Sequence, residues 1–190
     1  DLVKVLEEGI LLSEKENAKS KQAYFLIDQG VYYNLIGDYP KSRKSLTSAI
    51  ELLTLENNKI GLTRAYTKLI DAELLSGKTN EAKQNLDALF DLSNQLSNEQ
   101  GLGEFHYLNG KLLYANQEYS QAQEQFKFAL VKHGIAGEQR DLLKDRIALA
   151  KGGIIQGNYD EASLEMIEVN KIAQLSENHR DQIKSRLITF

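Results

Sequence analysis

The chain lacks several residue types, and each absence narrows what the protein can be. It contains no cysteine, which excludes disulfides, thiolate metal sites and a cysteine nucleophile. Its single proline is Pro40, and its many Leu, Ala, Glu, Lys and Gln residues favour helix, so we predict an all-α protein. No apolar run approaches the roughly 20 residues that a membrane-spanning helix needs. At 42% hydrophobic and 26% charged residues, the 190-residue chain has the composition of an ordinary soluble domain.

The charge pattern restricts the partners. The formal net charge is −4, and acidic and basic residues are interspersed. Such a surface has no overall field that attracts nucleic acid or an anionic membrane, so we expect neither as a direct partner of this segment. The absence of cysteine is compatible with a cytoplasmic or a periplasmic location. The chain begins at Asp1 and its only methionine is Met166, so we expect it to be part of a larger protein.

The sequence repeats itself at intervals of 40 residues. Five columns of similar residues keep this register: Tyr39, Thr79, Tyr119 and Tyr159; Ser42, Ala82, Ala122 and Ala162; Leu46, Leu86, Phe126 and Met166; Ala49, Leu89, Ala129 and Val169; and Gly30, Ile70, Gly110 and Ala150. Self-similarity at such a period indicates stacked supersecondary units that share one continuous core. An array of this kind offers a binding surface, and we predict binding in preference to catalysis.

Each unit is predicted to be a helix, a tight turn and a second helix, because apolar residues recur at helical spacing between turn residues. First helices are expected at about 18–36, 58–76, 99–116 and 138–156, and second helices at about 40–55, 80–96, 119–133 and 160–175. Gly37, Gly77, Asn116 and Gly157 can end the first helices in the left-handed region, and Asp38, Thr79 or Asn158 can cap the second ones.

The predicted organisation is one domain over 1–190. Residues 1–17 form the second helix of an incomplete repeat. Four repeats follow at 18–57, 58–97, 98–137 and 138–177, and residues 178–190 form the first helix of a truncated repeat.

These residues resemble the tetratricopeptide repeat family. The first repeat carries the family's small residue, its Gly-Asp-aromatic turn and its Ala/large/Ala series as Gly30, Gly37-Asp38-Tyr39, Ser42, Leu46 and Ala49. The sequence departs from the family in its 40-residue period, where about 34 is usual, and in its lack of tryptophan. The resemblance implies a right-handed α-solenoid superhelix of antiparallel helix hairpins. Its long helices are similar to those of bacterial signal-responsive regulators.

No catalytic or metal-binding constellation is visible. His106, His133 and His179 are far apart and have no second ligand at metal spacing, so we expect surface or interface roles for them. Carboxylates fall mainly on outward faces, and no nucleophile stands with a base and an orienting group. We therefore expect no enzyme activity, no cofactor and no metal.

In this family the first helices line the concave face, and projection of the sequence onto that face predicts a ligand-binding groove. Its residues are Tyr24, Asp28, Arg64, Lys68, Asp71, Tyr107, Lys111, Lys144 and Lys151, with Val31, Glu104 and Ile147 beside them. The lysines and arginine would bind an acidic extended peptide, and the tyrosines would act as apolar anchors. The alternative is that these lysines only solvate the groove.

Two functions follow. The first is a non-catalytic scaffold module that binds a protein or peptide. The second is the ligand-sensing or regulatory region of a bacterial signalling protein or transcription regulator. Because the ends of a solenoid expose apolar surface, a homodimer through the ends or the groove is a further alternative.

Overall fold

The computed structural model describes residues 2–137 and 139–188, with side chains described for 2–137 and 139–175. This part of the chain contains helices and no strand. The helices are α1 Leu2–Lys15, α2 Lys19–Leu35, α3 Tyr39–Leu55, α4 Lys59–Leu75, α5 Thr79–Gln95, α6 Glu99–Ala115, α7 Tyr119–Ala136, α8 Gln139–Ile155 and α9 Tyr159–Ile188. The all-α prediction is confirmed, and most predicted helix bounds lie within a few residues of the observed ones.

The connections between helices share one geometry. From α1 to α7, each connection has three residues, and its middle residue lies in the left-handed region, as in Gly37 (φ 77°) and Asn57 (φ 49°). Glycine adopts this conformation without cost, and asparagine tolerates it. After α6 the left-handed residue is Gln117 (φ 65°), so our choice of Asn116 was wrong by one position.

Side-chain caps hold the starts of three helices. The Asp38 carboxylate accepts a hydrogen bond from the Lys41 amide at 3.2 Å, which confirms its predicted role. Asn58 and Asn98 cap α4 and α6 in the same way. Helix α5 begins after Lys78 without a side-chain cap, so the prediction that Thr79 caps it was wrong.

Helix α9 differs from the prediction of two helices at 160–175 and 178–190. It continues from Tyr159 to Ile188 as one helix of 30 residues. In the connections at intervals of 40 residues, Asn17, Asn57, Ser97 and Gly137 lie in the left-handed region, whereas the corresponding residue here is Glu177, a good helix former. This exchange favours continuation of the helix. The division of the chain into repeats stays a prediction.

The helices form an α-solenoid of antiparallel hairpins. Each helix packs on the next one along the chain, and α2 also packs on α4, and α4 on α6. Over the described residues, second helices such as α3 and α5 show no comparable packing on one another. The array therefore curves with the first helices on the inside, where the groove was predicted.

Small residues bring the two helices of a hairpin together. A Cβ atom added at Gly30 would lie 2.5 Å from Cγ of Leu46, and one added at Gly110 would lie 2.5 Å from Cε1 of Phe126. Both distances are far below van der Waals contact. The two glycines thus let the helices of each hairpin approach closely, and the side chain that each glycine meets is a large one.

Candidate ligand-binding groove

A groove opens on the inner face between α4, α6 and α8, and it has two parts. We call the first part the polar chamber; it has a volume of about 960 Å³. It is lined by Thr67, Lys68, Asp71, Gln100, Glu104, Tyr107, Leu108, Lys111, Gly137, Gln139, Arg140, Asp141 and Lys144.

The second part, the apolar chamber, has a volume of about 480 Å³. Leu74, Leu75, Tyr107, Lys111, Tyr114, Ala115, Phe126, Lys144, Ile147, Ala148 and Lys151 line it. The two chambers share Tyr107, Lys111 and Lys144. One extended ligand can therefore contact both.

The groove is wide here because α6 and α8 lack the close packing that joins α2 to α4 and α4 to α6 within the described residues. The starts of α4 and α6 touch the preceding helix through glycine: a Cβ at Gly61 would lie 2.5 Å from Leu53, and one at Gly101 would lie 2.5 Å from Ser93. The equivalent residue of α8, forty positions after Gly101, is Asp141. The Asp141 side chain needs space at this position, whereas glycine has no side chain and lets the two helices touch.

Ion pairs connect the first helices of the array to one another. Arg64 Nη2 lies 2.6 Å from Asp28 Oδ1, and Lys144 Nζ lies 2.5 Å from Glu104 Oε1, while Lys111 pairs with Asp71. The partners are 36 or 40 residues apart, so each pair joins one first helix to the next. Because a carboxylate already neutralises each of these cations, Arg64, Lys111 and Lys144 offer less positive charge to an acidic ligand than the projection of the sequence suggested.

The cations that remain available are fewer. Lys68 and Arg140 line the polar chamber, Lys151 lines the apolar one, and none of them forms an ion pair with another described residue. Arg140, at the start of α8, was not predicted as a groove residue. Attraction of an anionic ligand therefore depends mainly on Lys68 and Arg140.

Tyr107 stands between the chambers, with two ammonium groups near its ring. Lys144 Nζ lies 4.8 Å from the ring centroid, and Lys111 Nζ lies 6.0 Å from it. Burial raises the pKa of the Tyr107 phenol, against the opposing effect of Lys144. The phenol therefore stays neutral at physiological pH and can donate a hydrogen bond to a ligand.

Lys144 is held between two carboxylates. Its ammonium lies 2.5 Å from Glu104 Oε1 and 3.0 Å from Asp141 Oδ1. Burial disfavours the charged form, but Glu104 and then Asp141 stabilise it, and the net effect raises the pKa of Lys144 above its ordinary value. Lys144 therefore remains charged in the groove wall.

A buried polar pair lies behind this wall. Nδ1 of His133 on α7 lies 2.6 Å from Oδ2 of Asp145 on α8, and both side chains are 0% exposed. Burial raises the pKa of Asp145, although the hydrogen bond to His133 opposes the shift. His133 Nε2 and Asp145 Oδ1 are buried and have no hydrogen-bond partner among the residues that the structure describes.

The predicted surface or interface role was wrong for His133. His106 differs from it. His106 is half-buried, contacts Gln125 Oε1 at 2.9 Å and stacks near Phe128. His179 lies outside the described side chains. The repeat register held a signal for His133: it occupies the column of Leu53 and Ser93, which are buried.

The predicted groove residues mostly come together. Lys68, Asp71, Tyr107, Lys111 and Lys144 line the polar chamber, Lys151 lines the apolar one, and Arg64 joins Lys68 in a third cavity of about 400 Å³. Tyr24 and Asp28 lie outside these cavities, where Tyr24 faces Arg64 at 5.8 Å and Asp28 binds it. Whether these residues bind a ligand stays a prediction.

The sequence analysis missed the apolar chamber. Leu74, Leu75 and Phe126 were assigned no part in the groove, because apolar residues at helical spacing look like core residues in a single sequence.

In the described residues, no helix has both the length and the apolar character needed to cross a bilayer.

Comparison with known proteins identifies the fold. No protein-family model matches the sequence, and no curated protein matches it. Among solved structures, the apo form of RapI aligns with a TM-score of 0.76 at 16% identity, over 97% of this chain and 68% of RapI. BtubC from P. vanneervenii aligns with a TM-score of 0.68 at 15% identity, over 84% of this chain and 66% of BtubC. The chain has the fold of helical-repeat scaffolds, an α-solenoid.

Proposed function

We propose that the chain is a non-catalytic scaffold module of the tetratricopeptide type that binds a peptide, or an extended segment of a partner protein, along its inner face. The observation that carries the proposal is the junction of the polar and apolar chambers at Tyr107, Lys111 and Lys144. A concave, largely preformed site with a few convergent polar groups is the usual form of a ligand-binding site.

The lining of the chambers defines the ligand. Lys68 and Arg140 offer unpaired cationic groups in the polar chamber, which favour a carboxylate on the ligand. Next to them, the apolar chamber is lined by aliphatic and aromatic groups such as Leu74, Phe126 and Ile147. A ligand with an acidic residue beside a large apolar residue fits both chambers. The ordered ion pairs in the wall fix the shape of the groove before binding and so lower the entropic cost of binding.

A second candidate function is ligand sensing within a larger signalling protein. The Glu104–Lys144 pair joins α6 to α8, where close packing is lacking. A ligand carboxylate that draws Lys144 away from Glu104 would change the separation of these helices and the curvature of the array. X-ray scattering with and without ligand separates the two functions: a changed radius of gyration supports sensing, and an unchanged one supports a rigid scaffold.

The binding proposal is tested with three fluorescein-labelled octapeptides of equal length: acidic with one leucine, acidic with serine in its place, and basic with one leucine. Fluorescence polarisation should detect binding of the first peptide and much weaker binding of the other two. Lys68→Glu should weaken binding of the first peptide at least tenfold, because a hydrogen bond to a charged group contributes about 1.5–3 kcal/mol. Ile147→Arg should also weaken it by closing the apolar chamber.

The matched control is Lys127→Glu, which makes the same charge change at an exposed position of α7, outside both chambers. It should leave the affinity unchanged while the circular dichroism of all variants stays alike. Equal loss in Lys127→Glu and Lys68→Glu would show that only overall charge matters. Equal binding of all three peptides would refute the assigned ligand chemistry.

A further inference from the structure

Three side chains that suit a metal ion converge at the wall of the polar chamber, two of them in its lining and one buried behind it. Glu104 comes from α6, His133 from α7 and Asp141 from α8, and one possible ligand atom of each lies within 4.8 Å of those of the others. Sequence spacing gave no sign of this group, because its members come from three different helices. The expectation that the chain holds no metal was based on that spacing.

His133 is prepared to act as a ligand. Its Nδ1 lies 2.6 Å from Asp145, which leaves Nε2 as the other ring nitrogen, and that atom is buried and has no hydrogen-bond partner among the described residues. A carboxylate that accepts a hydrogen bond from Nδ1–H places the lone pair of a neutral imidazole on Nε2, and this arrangement typically orients a metal-binding histidine. Gly103 makes room for the ring, since a Cβ there would lie 2.4 Å from Nε2. Neither the fold nor the proposed peptide site otherwise uses this atom.

The two carboxylates already hold a cation. Lys144 Nζ lies within 3.0 Å of an oxygen of both Glu104 and Asp141. The ammonium thus marks a position where positive charge is stabilised, near the buried His133. Glu104, Asp141 and Lys144 also line the polar chamber, so an ion can enter from solvent and the lysine side chain can swing into the chamber.

From this geometry we propose a binding site for a zinc-class divalent ion, with Glu104, His133 and Asp141 as ligands and Asp145 as the residue that orients His133. A mixed imidazole and carboxylate set suits Zn²⁺ and its neighbours, whereas Mg²⁺ and Ca²⁺ prefer oxygen ligands alone. Zinc bonds of about 2.0–2.2 Å require the three side chains to close inward once Lys144 leaves. Three protein ligands leave one coordination position directed at the polar chamber.

The metal would join α6, α7 and α8 at the point where α6 and α8 lack close packing. This inference does not depend on the proposed function, since a metal can stabilise the array whether or not a peptide binds.

The test is isothermal titration of ZnCl₂ into the chelator-treated chain, together with the visible absorption spectrum of the Co²⁺ form. Wild type should bind about one equivalent. Lys144→Gln should bind several-fold more tightly, because it removes the competing ammonium. Glu104→Gln and Asp141→Asn should each weaken zinc binding by about 10–100-fold or more. Loss of a residue that only supports a ligand already has an effect of this size, and these two residues are ligands themselves.

His133 is buried, so its removal alone risks misfolding. The double variant His133→Leu with Asp145→Ala replaces the pair by the residues at the equivalent positions Leu53 and Ala65, and it should fold but lose zinc binding and the Co²⁺ spectrum. His106→Asn is the matched histidine control and should bind like wild type. No binding by wild type and Lys144→Gln, or undiminished binding by the folded double variant, would overturn the proposal.

Discussion

The array has two regions built on one register. From α2 to α6, first helices pack directly on one another, and where α3 meets α4 the buried positions carry the apolar residues Leu53 and Ala65. Between α6 and α8 this packing is absent in the described residues, and the equivalent buried positions carry His133 and Asp145. The comparison teaches how a regular repeat can form a candidate site. A few residues depart from the repeated pattern, while the backbone keeps the same register.

The two regions also differ in how they hold charge. The Arg64–Asp28 pair is about half exposed, with side chains 51% and 50% accessible, whereas those of Lys144 and Glu104 are 26% and 16% accessible. Exposed ion pairs contribute little to stability, and more buried ones are screened less. The first region is therefore stabilised mainly by apolar packing, and the second depends more on polar contacts.

The largest effect is expected in the packed region. Leu53 is 0% exposed within the first core cluster, so Leu53→Ala should lower the free energy of unfolding by about 2–5 kcal/mol. Urea denaturation followed by circular dichroism measures this. Leu55→Ala, at a position 71% exposed, is the control and should change stability little. A loss below 1 kcal/mol for Leu53→Ala would contradict the claim that packing dominates this region.

At the buried pair of His133 and Asp145, a smaller loss of stability is expected, and a second substitution should reverse it. Asp145→Ala leaves His133 buried without its partner and should cost about 1–3 kcal/mol. Adding His133→Leu should recover most or all of that loss, because exchanging both partners for apolar groups is nearly neutral or stabilising.

Urea denaturation of the wild type, the two single variants and the double variant forms the required cycle. Additive losses in this cycle would show that His133 and Asp145 do not act as a pair. The contrast between the two regions would then lie in geometry alone.

The smallest effects are expected from the ion pairs. Arg64→Gln should cost about 0.2–1 kcal/mol at low salt, because the pair is exposed. The cost should vanish near 1 M NaCl, where the screening length falls to about 3 Å. Lys144→Gln, in the less exposed pair, should retain more of its effect in salt. The same salt dependence for both variants would show that the two ion pairs are equally screened, and the two regions would then not differ in how they hold charge.

The sequence predicted what depends on periodicity and local turn chemistry. The helix order, the turns at Gly37 and Gly77 and the close approach at Gly30 and Gly110 each follow from residues repeated at a fixed interval. The continuous helix α9 was missed because the repeat was extended past the point where turn residues stop.

The site was predicted less completely, for a physical reason. Projection onto the inner face found Tyr107, Lys111 and Lys144, but a single helix face does not reveal ion pairing with the next helix. The pair of His133 and Asp145 arises from helices that meet only in the folded array. Contacts between successive helices depend on the separation of those helices, which the sequence pattern does not contain.

The series of ion pairs along the inner face changes from one end to the other. Exposure of the lysine or arginine partner falls from 51% at Arg64 to 28% at Lys111 and 26% at Lys144. Dissolved salt weakens the most exposed pair, that of Arg64, the most, and the least exposed pair, that of Lys144, the least. As ionic strength rises, the Arg64–Asp28 pair should therefore be lost before the Lys144–Glu104 pair, while apolar packing continues to hold the Arg64 end of the array together.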